Sequence, residues 1–200
     1  MKWYETLFDA MMSAFTSGRL KQAGATPEQI AAGVTGSVDL PTGYSTDAIA
    51  DANAHRLAAL CHEAVANPAW EPRGGTTYCN RAVSFIAQGM GYFGFINDQL
   101  ANEMISSMAS NPAWREEHDF GRIEALAMRG ALIIFGLQDH PHGHVCVAFP
   151  AKAEDSGTWG GKVPMVCNIG KSNGIIRLSQ AFRVADRPLL HAYVLEESIA

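Results

Sequence analysis

Apolar residues change their spacing partway along this chain, and the change divides the predicted elements into two groups. Up to about residue 128 they recur every three or four positions, the period of helices with one buried face. Trp3, Leu7, Ala10, Met11 and Ala14 predict a helix over 3–17 that stops near Gly18. Thr26-Pro27-Glu28, a cap followed by proline at the first helical position, predicts a second, short helix. Residues 33–46 are rich in turn formers and read as loop. Ser45 or Thr46 then caps a long helix to about Ala66, with Ile49, Leu57, Leu60 and Cys61 among its apolar positions. Ala82, Val83, Phe85, Ile86 and Met90 mark a helix that begins at Cys79. Leu100, Met104, Ile105 and Met108 form the inward side of another from about Asp98 to Ser110, and Ile123 to Met128 is a last short helical stretch.

From Gly130 the apolar runs become continuous and short. Ala131–Phe135 is long enough for a central strand and too short for a helix. His144–Phe149, Val163–Gly170 and His191–Glu196 are three further strands. Helices first and strands afterwards predict an α+β fold, with an antiparallel sheet of about four to six strands packed on helices. The pentapeptide Ala66-Asn67-Pro68-Ala69-Trp70 returns as Ser110-Asn111-Pro112-Ala113-Trp114, each copy following a helix. With two copies and no longer period, it reads as a reused helix stop.

Two hundred residues make one domain with a substantial core, read here as a helical N-terminal extension over 1–66 and a core over 67–200. The formal charge of −5 is spread so that neither half is basic: residues 1–120 hold 13 acids and 7 bases, residues 121–200 hold 7 acids and 8 bases. Nucleic acid is therefore not an expected partner. No apolar run reaches the roughly 20 residues that span a bilayer. Glu5 and Asp9 interrupt the N-terminal apolar stretch and no small-residue cleavage site follows, so no classical signal peptide is expected. The four cysteines are widely spaced without a CxxC pair and read as reduced thiols, at most one of them reactive.

That reactive thiol is best sought at Cys79. Gly74 and Gly75 allow a tight loop, and Thr76 or Thr77 can cap the helix that follows. Cys79 stands one turn before Val83, on the inward side, at the helix end whose unpaired N–H groups favour a thiolate. A base for it lies in Asp139-His140-Pro141-His142-Gly143-His144-Val145, where His144 opens an apolar strand directly after a glycine. A histidine at a strand end beside a helix-borne cysteine is what a thiolate–imidazolium pair needs. His140, His142 and His144 offer a different reading as zinc ligands, although no HExxH-type pattern accompanies them. A base also needs an orienting group. Asn168 is the polar residue inside an apolar strand, a place asparagine disfavours, so it is either that group or a residue bonding local backbone. Asn173 reads as a turn residue, and His191, opening the last strand, as a partly buried structural histidine.

Cysteine at a helix start, histidine at a strand start and a polar residue on the next strand resemble the papain-like cysteine hydrolases of bacterial cell-wall metabolism, the NlpC/P60 and CHAP-like superfamily. Gly74-Gly75 leading to Cys79, a helix ending at Gly89-Met90-Gly91-Tyr92, Gly130-Ala131-Leu132-Ile133 and Gly143-His144-Val145 carry the likeness, over roughly residues 70–194. Tyr78-Cys79-Asn80 departs from the Asp-Cys-Ser/Gly of NlpC/P60 proteins and is closer to the CHAP-like branch. The stretch from His144 to Asn168 is long, which leaves the third residue open.

The resemblance implies a papain-like fold and a cysteine peptidase or amidase that hydrolyses peptidoglycan amide or peptide bonds through Cys79, His144 and Asn168. It needs no cofactor and no metal. It places Tyr78 and Asn80 beside the oxyanion or substrate, with Tyr78 either a donor or a packing residue. Trp159, in the SGTWGG loop, either stacks on substrate or is an exposed aromatic. Implied partners are peptidoglycan or muropeptides, and a delivery machinery or inhibitor protein. With no signal peptide expected, the protein is made in the cytoplasm and delivered to the cell wall or periplasm by a phage or a secretion system. The readings that compete are a catalytically silent papain-like binding module and a zinc hydrolase built on His140, His142 and His144.

Overall fold

The computed structural model describes residues 46–95 and 99–196; the helices expected over 3–17 and after Thr26, and nearly all of the loop before the long helix, lie outside them. In chain order the described elements are α1 (Thr46–Ala66), a 3-10 turn (Pro68–Trp70), α2 (Cys79–Gly89), α3 (Ala101–Ser110), β1 (Trp114–Glu116) and α4 (Phe120–Met128). Then follow β2 (Ile133–Leu137), β3 (His144–Ala148), β4 (Glu154–Ser156), β5 (Gly161–Val163), β6 (Met165–Asn168), β7 (Gly174–Arg177), α5 (Leu178–Ala181), a 3-10 segment (Val184–Leu189) and β8 (His191–Leu195). Six strands form an antiparallel sheet in the order β1-β8-β2-β3-β6-β7, and β4 and β5 make a separate two-stranded ribbon. The fold class is α+β, as the order of periodicities predicts. No helix among the described residues is long and apolar enough to cross a membrane.

The continuous apolar runs follow from burial on both sheet faces. Leu132, Ile134, Val145, Val147, Cys167, Tyr193 and Leu195 share one core with the inward residues of α1, α2 and α3. Ile133, Phe135, Cys146, Ala148, Val166, Ala192 and Val194 share a second core with α4 and α5 residues, Trp159 and Phe182. Each large apolar side chain fully buried in these layers contributes roughly 1.5–3 kcal/mol. The expected boundary at residue 67 is displaced, because Leu57, Cys61 and Ala64 of α1 are fully buried in the first core. This helix is part of the core and not an extension to it.

The repeated pentapeptide is a stop built the same way twice. Asn67 Oδ1 accepts from Ala69 N–H and Asn111 Oδ1 accepts from Ala113 N–H, both at 3.0 Å, just after α1 and α3 end. Both copies also close a main-chain turn, from Trp70 N–H to Asn67 O and from Trp114 N–H to Asn111 O. Elsewhere local expectations shift. Helix α3 begins at Ala101, and Leu100, expected inward, is 49% exposed at its N-cap. The expected strand over 163–170 is broken at Pro164, whose missing N–H cannot continue a ladder. Residues 161–163 pair with the ribbon, and only 165–168 join the main sheet.

Candidate active site

The loop before α2 is built as its glycines predict. Gly74 and Gly75 take φ of 57° and 83°, a left-handed turn that only glycine adopts without strain, closed by reciprocal bonds between Arg73 and Thr76 (3.1 and 2.9 Å). Neither Thr76 nor Thr77 caps the helix, contrary to expectation: Tyr78 occupies the N-cap and makes no side-chain cap bond. The first-turn N–H groups therefore stay available, and one of them, from Asn80, is spent on the Cys79 sulfur. Ala82, Val83, Ile86 and Ala87 seat α2 in the first core, which holds Cys79 at its first position, only 6% exposed.

His144 opens β3 after Gly143. A β-carbon at Gly143 would overlap Asn102 Oδ1 and the Leu137 carbonyl, so glycine lets the loop lie against α3. Asn102 clamps that loop, donating to Asp139 O (2.9 Å) and accepting from Asp139 N–H (3.3 Å). The imidazole is hydrogen-bonded to the Cys79 thiol, and its Nε2 lies 2.7 Å from Asn168 Oδ1. Since Nε2 faces Asn168, Nδ1 is the nitrogen left for sulfur. The Phe182 ring packs 5.2 Å from the imidazole.

Asn168 ends β6 and is 4% exposed. Its Nδ2 donates to Ser172 O at 2.8 Å, which fixes Oδ1 toward the imidazole. The turn that carries Ser172 is held by Asn173. Asn173 Oδ1 accepts from Gly170 N–H and its Nδ2 donates to Trp70 O, both at 3.1 Å. Gly170 lies against this pair, and a β-carbon there would come within 3.3 Å of Asn168 Nδ2 and 3.4 Å of His144 Cε1. Asn173 thus does more than shape its turn: it ties the support of Asn168 to the segment leading into the cysteine loop. The sequence around Asn173 looks like any glycine-flanked turn, so only the tertiary contact with Trp70 reveals this.

The electrostatics follow from these contacts. Burial alone would push the Cys79 thiol up, but the hydrogen bond and charge of His144, with N–H groups of Val145 and Asn80 aimed at the sulfur, bring it below the ordinary thiol value. Burial would likewise push His144 down, and its bonds to Cys79 and Asn168 with the thiolate charge hold it above the ordinary imidazole value. Both directions favour a thiolate–imidazolium pair. Two other thiols go the opposite way: Cys61 is raised by its bond to Cys167 and by burial, and Cys146 chiefly by burial.

Cys79, His144 and Asn168 are therefore in contact in that order. The other expected positions fall out differently. Asn80 supplies its N–H to the sulfur, while its side chain donates to Gln99 O at 2.8 Å. Tyr78 is half-buried against the first core with the Arg81 guanidinium 5.8 Å from its ring centre, which fits the packing role. Trp159 does not line a cleft and is not exposed. It is 4% exposed in the second core, stacked on Phe120 at 6.2 Å, with Arg187 Nη1 bonded to its carbonyl at 2.8 Å. Trp159 stands directly before the ribbon turn at Gly160 and Gly161 (φ 68° and 156°), and its indole packs in the second core with residues of α4 and α5. His140 and His142 are exposed, and both ring nitrogens of His144 are committed elsewhere. Among the described residues no group of three or more His, Cys, Asp or Glu side chains is placed to hold a metal ion.

Comparison with known proteins adds no relative: no protein-family model matches the chain, and no curated protein matches it.

Proposed function

We propose that the protein is a cysteine amidohydrolase or endopeptidase that cleaves amide or peptide bonds of peptidoglycan, with Cys79 as nucleophile, His144 as base and acid, and Asn168 as the group that orients the imidazole. The observation that carries this reading is the unbroken contact from Cys79 through His144 to Asn168, supported by the lowered thiol and raised imidazole. The substrate class comes from the resemblance of the Gly-Gly, Cys, Gly-His-Val and Asn motifs to papain-like cell-wall hydrolases. Delivery from the cytoplasm to the wall by a phage or secretion machinery belongs to the same proposal.

In this mechanism the Cys79 sulfur attacks the amide carbonyl carbon, and negative charge gathers on the oxygen. In this reading the first-turn N–H of Cys79 itself receives that charge; a donor of this kind is worth about 2.7–4 kcal/mol. His144 then passes its proton from Nδ1 to the nitrogen as the C–N bond breaks, leaving a thioester on Cys79 and a free amine. Water attacks the thioester while Nδ1 takes its proton, the C–S bond breaks, and the carboxylic product leaves a restored thiolate–imidazolium pair. Asn168, accepting from Nε2–H, keeps the ring in one tautomer throughout.

The test is turnover of soluble muropeptides by the purified chain, read as newly released primary amine. Wild type should release amine and Cys79→Ala should not. An alanine variant as active as wild type would end the thiol mechanism. No turnover together with a Cys79 that resists alkylation would instead mark a silent binding module.

A further inference from the structure

Cys79 and His144 stand on different elements, α2 and β3, and the N-terminal end of α3 reaches toward both. On the cysteine side, Asn80 Nδ2 donates to Gln99 O at 2.8 Å. Gln99 Nε2 donates in turn to Ser107 Oγ at 2.7 Å, which folds the Gln99 side chain back along α3. The helix cap fixes the next residue, with Glu103 Oε2 accepting from Leu100 N–H at 2.8 Å. Asn80 is also the residue whose main-chain N–H is aimed at the Cys79 sulfur.

On the histidine side, His144 is the last paired residue of the β2–β3 ladder, opposite Leu137. The end of a ladder frays unless what lies beyond it is tied down. Residues 138–142, which lie beyond it, are exposed and have no core contact of their own to fix them. Asn102 supplies the tie: its Nδ2 donates to Asp139 O at 2.9 Å and its Oδ1 accepts from Asp139 N–H at 3.3 Å. The same Oδ1 lies where a β-carbon on Gly143 would stand. One amide therefore touches both ends of the turn, and the next residue is His144. Gln138 Nε2 adds a second staple to α3, donating to Ser106 Oγ at 3.0 Å.

Between these two contacts α3 is firmly seated. Met104, Ile105 and Met108 are buried in the first core with Val83, Ile86 and Val145. A β-carbon at Gly136 would overlap the Ile105 side chain, so glycine on β2 lets the helix lie close against the sheet. The nucleophile and its base thus share one frame, each next to a residue that touches it.

We propose that the N-terminal end of α3 is a strut that holds Cys79 and His144 at bonding distance, with Asn102 as the positioning residue for His144. This role rests on the cysteine–histidine pairing of the proposed function and not on its substrate.

The experiment is alkylation of Cys79 by iodoacetamide at pH 7, resolved by peptide mass mapping, for wild type, His144→Ala, Asn102→Ala and Asn102→Leu. Each Asn102 variant is repeated in the His144→Ala background, with folding checked by circular dichroism. Leucine keeps the bulk of asparagine beside Gly143 and loses both bonds, so it decides the test even where alanine does not fold. Both variants should slow alkylation about two- to tenfold, the worth of one neutral hydrogen bond. The slowing should close above the ordinary thiol range and vanish in the His144→Ala background, because Asn102 acts on the sulfur only through the imidazole. Asn80→Ala cuts the strut at its other end and keeps the main-chain N–H to the sulfur. Combined with Asn102→Leu, it should slow alkylation by less than the product of the two separate effects.

An Asn102→Leu protein that alkylates like wild type overturns the strut. So does a slowing that persists without His144, or a pair of effects that multiply. If His144→Ala itself reacts like wild type, the pairing falls and the strut with it; if His144→Ala is slowed and Asn102→Leu is not, the strut alone falls. Alkylation needs no substrate, so these results stand whether or not muropeptides are cleaved.

Discussion

Replacing His144 with alanine removes the group that opposes burial at Cys79. In the intact protein burial pushes the thiol up, and the His144 hydrogen bond and charge are the leading contributions that bring it down. A hydrogen bond to a charged group is worth about 1.5–3 kcal/mol net. At 1.36 kcal/mol per tenfold, its loss lowers the ionised fraction of Cys79 at neutral pH by roughly 10- to 100-fold. The N–H groups of Val145 and Asn80 stay in place and keep some thiolate character, so the lower end of that range is the safer expectation. The assay is the pseudo-first-order rate of iodoacetamide alkylation at pH 7, resolved to Cys79 by peptide mass mapping. Cys61 and Cys146, buried and raised, serve as unreactive internal controls. His144→Ala should alkylate at least about tenfold more slowly than wild type at pH 7, with the gap closing as pH rises beyond the ordinary thiol range. Equal rates at pH 7 would show that the imidazole does not hold the thiolate and would refute the pairing.

Four further outcomes follow from the structure. The kcat/KM profile on muropeptides should be a bell whose acid limb lies below the ordinary thiol value and whose alkaline limb lies above the ordinary imidazole value. Because the Asn168 bond helps to raise His144, Asn168→Ala should move the alkaline limb down; an alkaline limb that moves up contradicts the orienting role. Asn173→Ala should slow Cys79 alkylation at neutral pH, whereas Asn173→Asp, which keeps the acceptor for Gly170 N–H and loses the donor to Trp70 O, should recover part of that loss. Identical behaviour of the two variants would place the effect wholly on the Trp70 side. Leu57→Ala should cost about 2–5 kcal/mol in chemical denaturation, since α1 is part of the core; a loss under 1 kcal/mol would return α1 to a peripheral role.

The helices and strands with strong apolar periodicity were legible from the chain, because burial of one face or two writes itself directly into residue spacing. The contact between Cys79 and His144 left a fainter mark: each opens an element, Cys79 at the start of α2 four residues after Gly75 and His144 at the start of β3 directly after Gly143. Asn168 stood out as an amide inside an apolar strand. The strands β1 and β7 carry no such mark, since three or four residues pair according to what lies next to them. Pro164 split an apolar run that composition alone presents as one strand. Trp159 misled because a glycine-rich loop reads as exposed, whereas the indole packs in the second core. Asn173 was legible as a turn residue and illegible as a bridge, since its partner Trp70 is 103 residues away.

The proposed function requires that the Cys79 thiolate, paired with His144, hydrolyses an amide of the cell wall. Mass spectrometry of purified sacculi after digestion tests it most directly, with wild type, wild type alkylated at Cys79, and Cys79→Ala run in parallel. Wild type should release fragments that each bear a new amine or a new carboxylate at a single kind of amide bond, and the other two should leave the sacculus intact. Release of the same fragments by the alkylated or alanine protein, or an intact sacculus with all three, would contradict it.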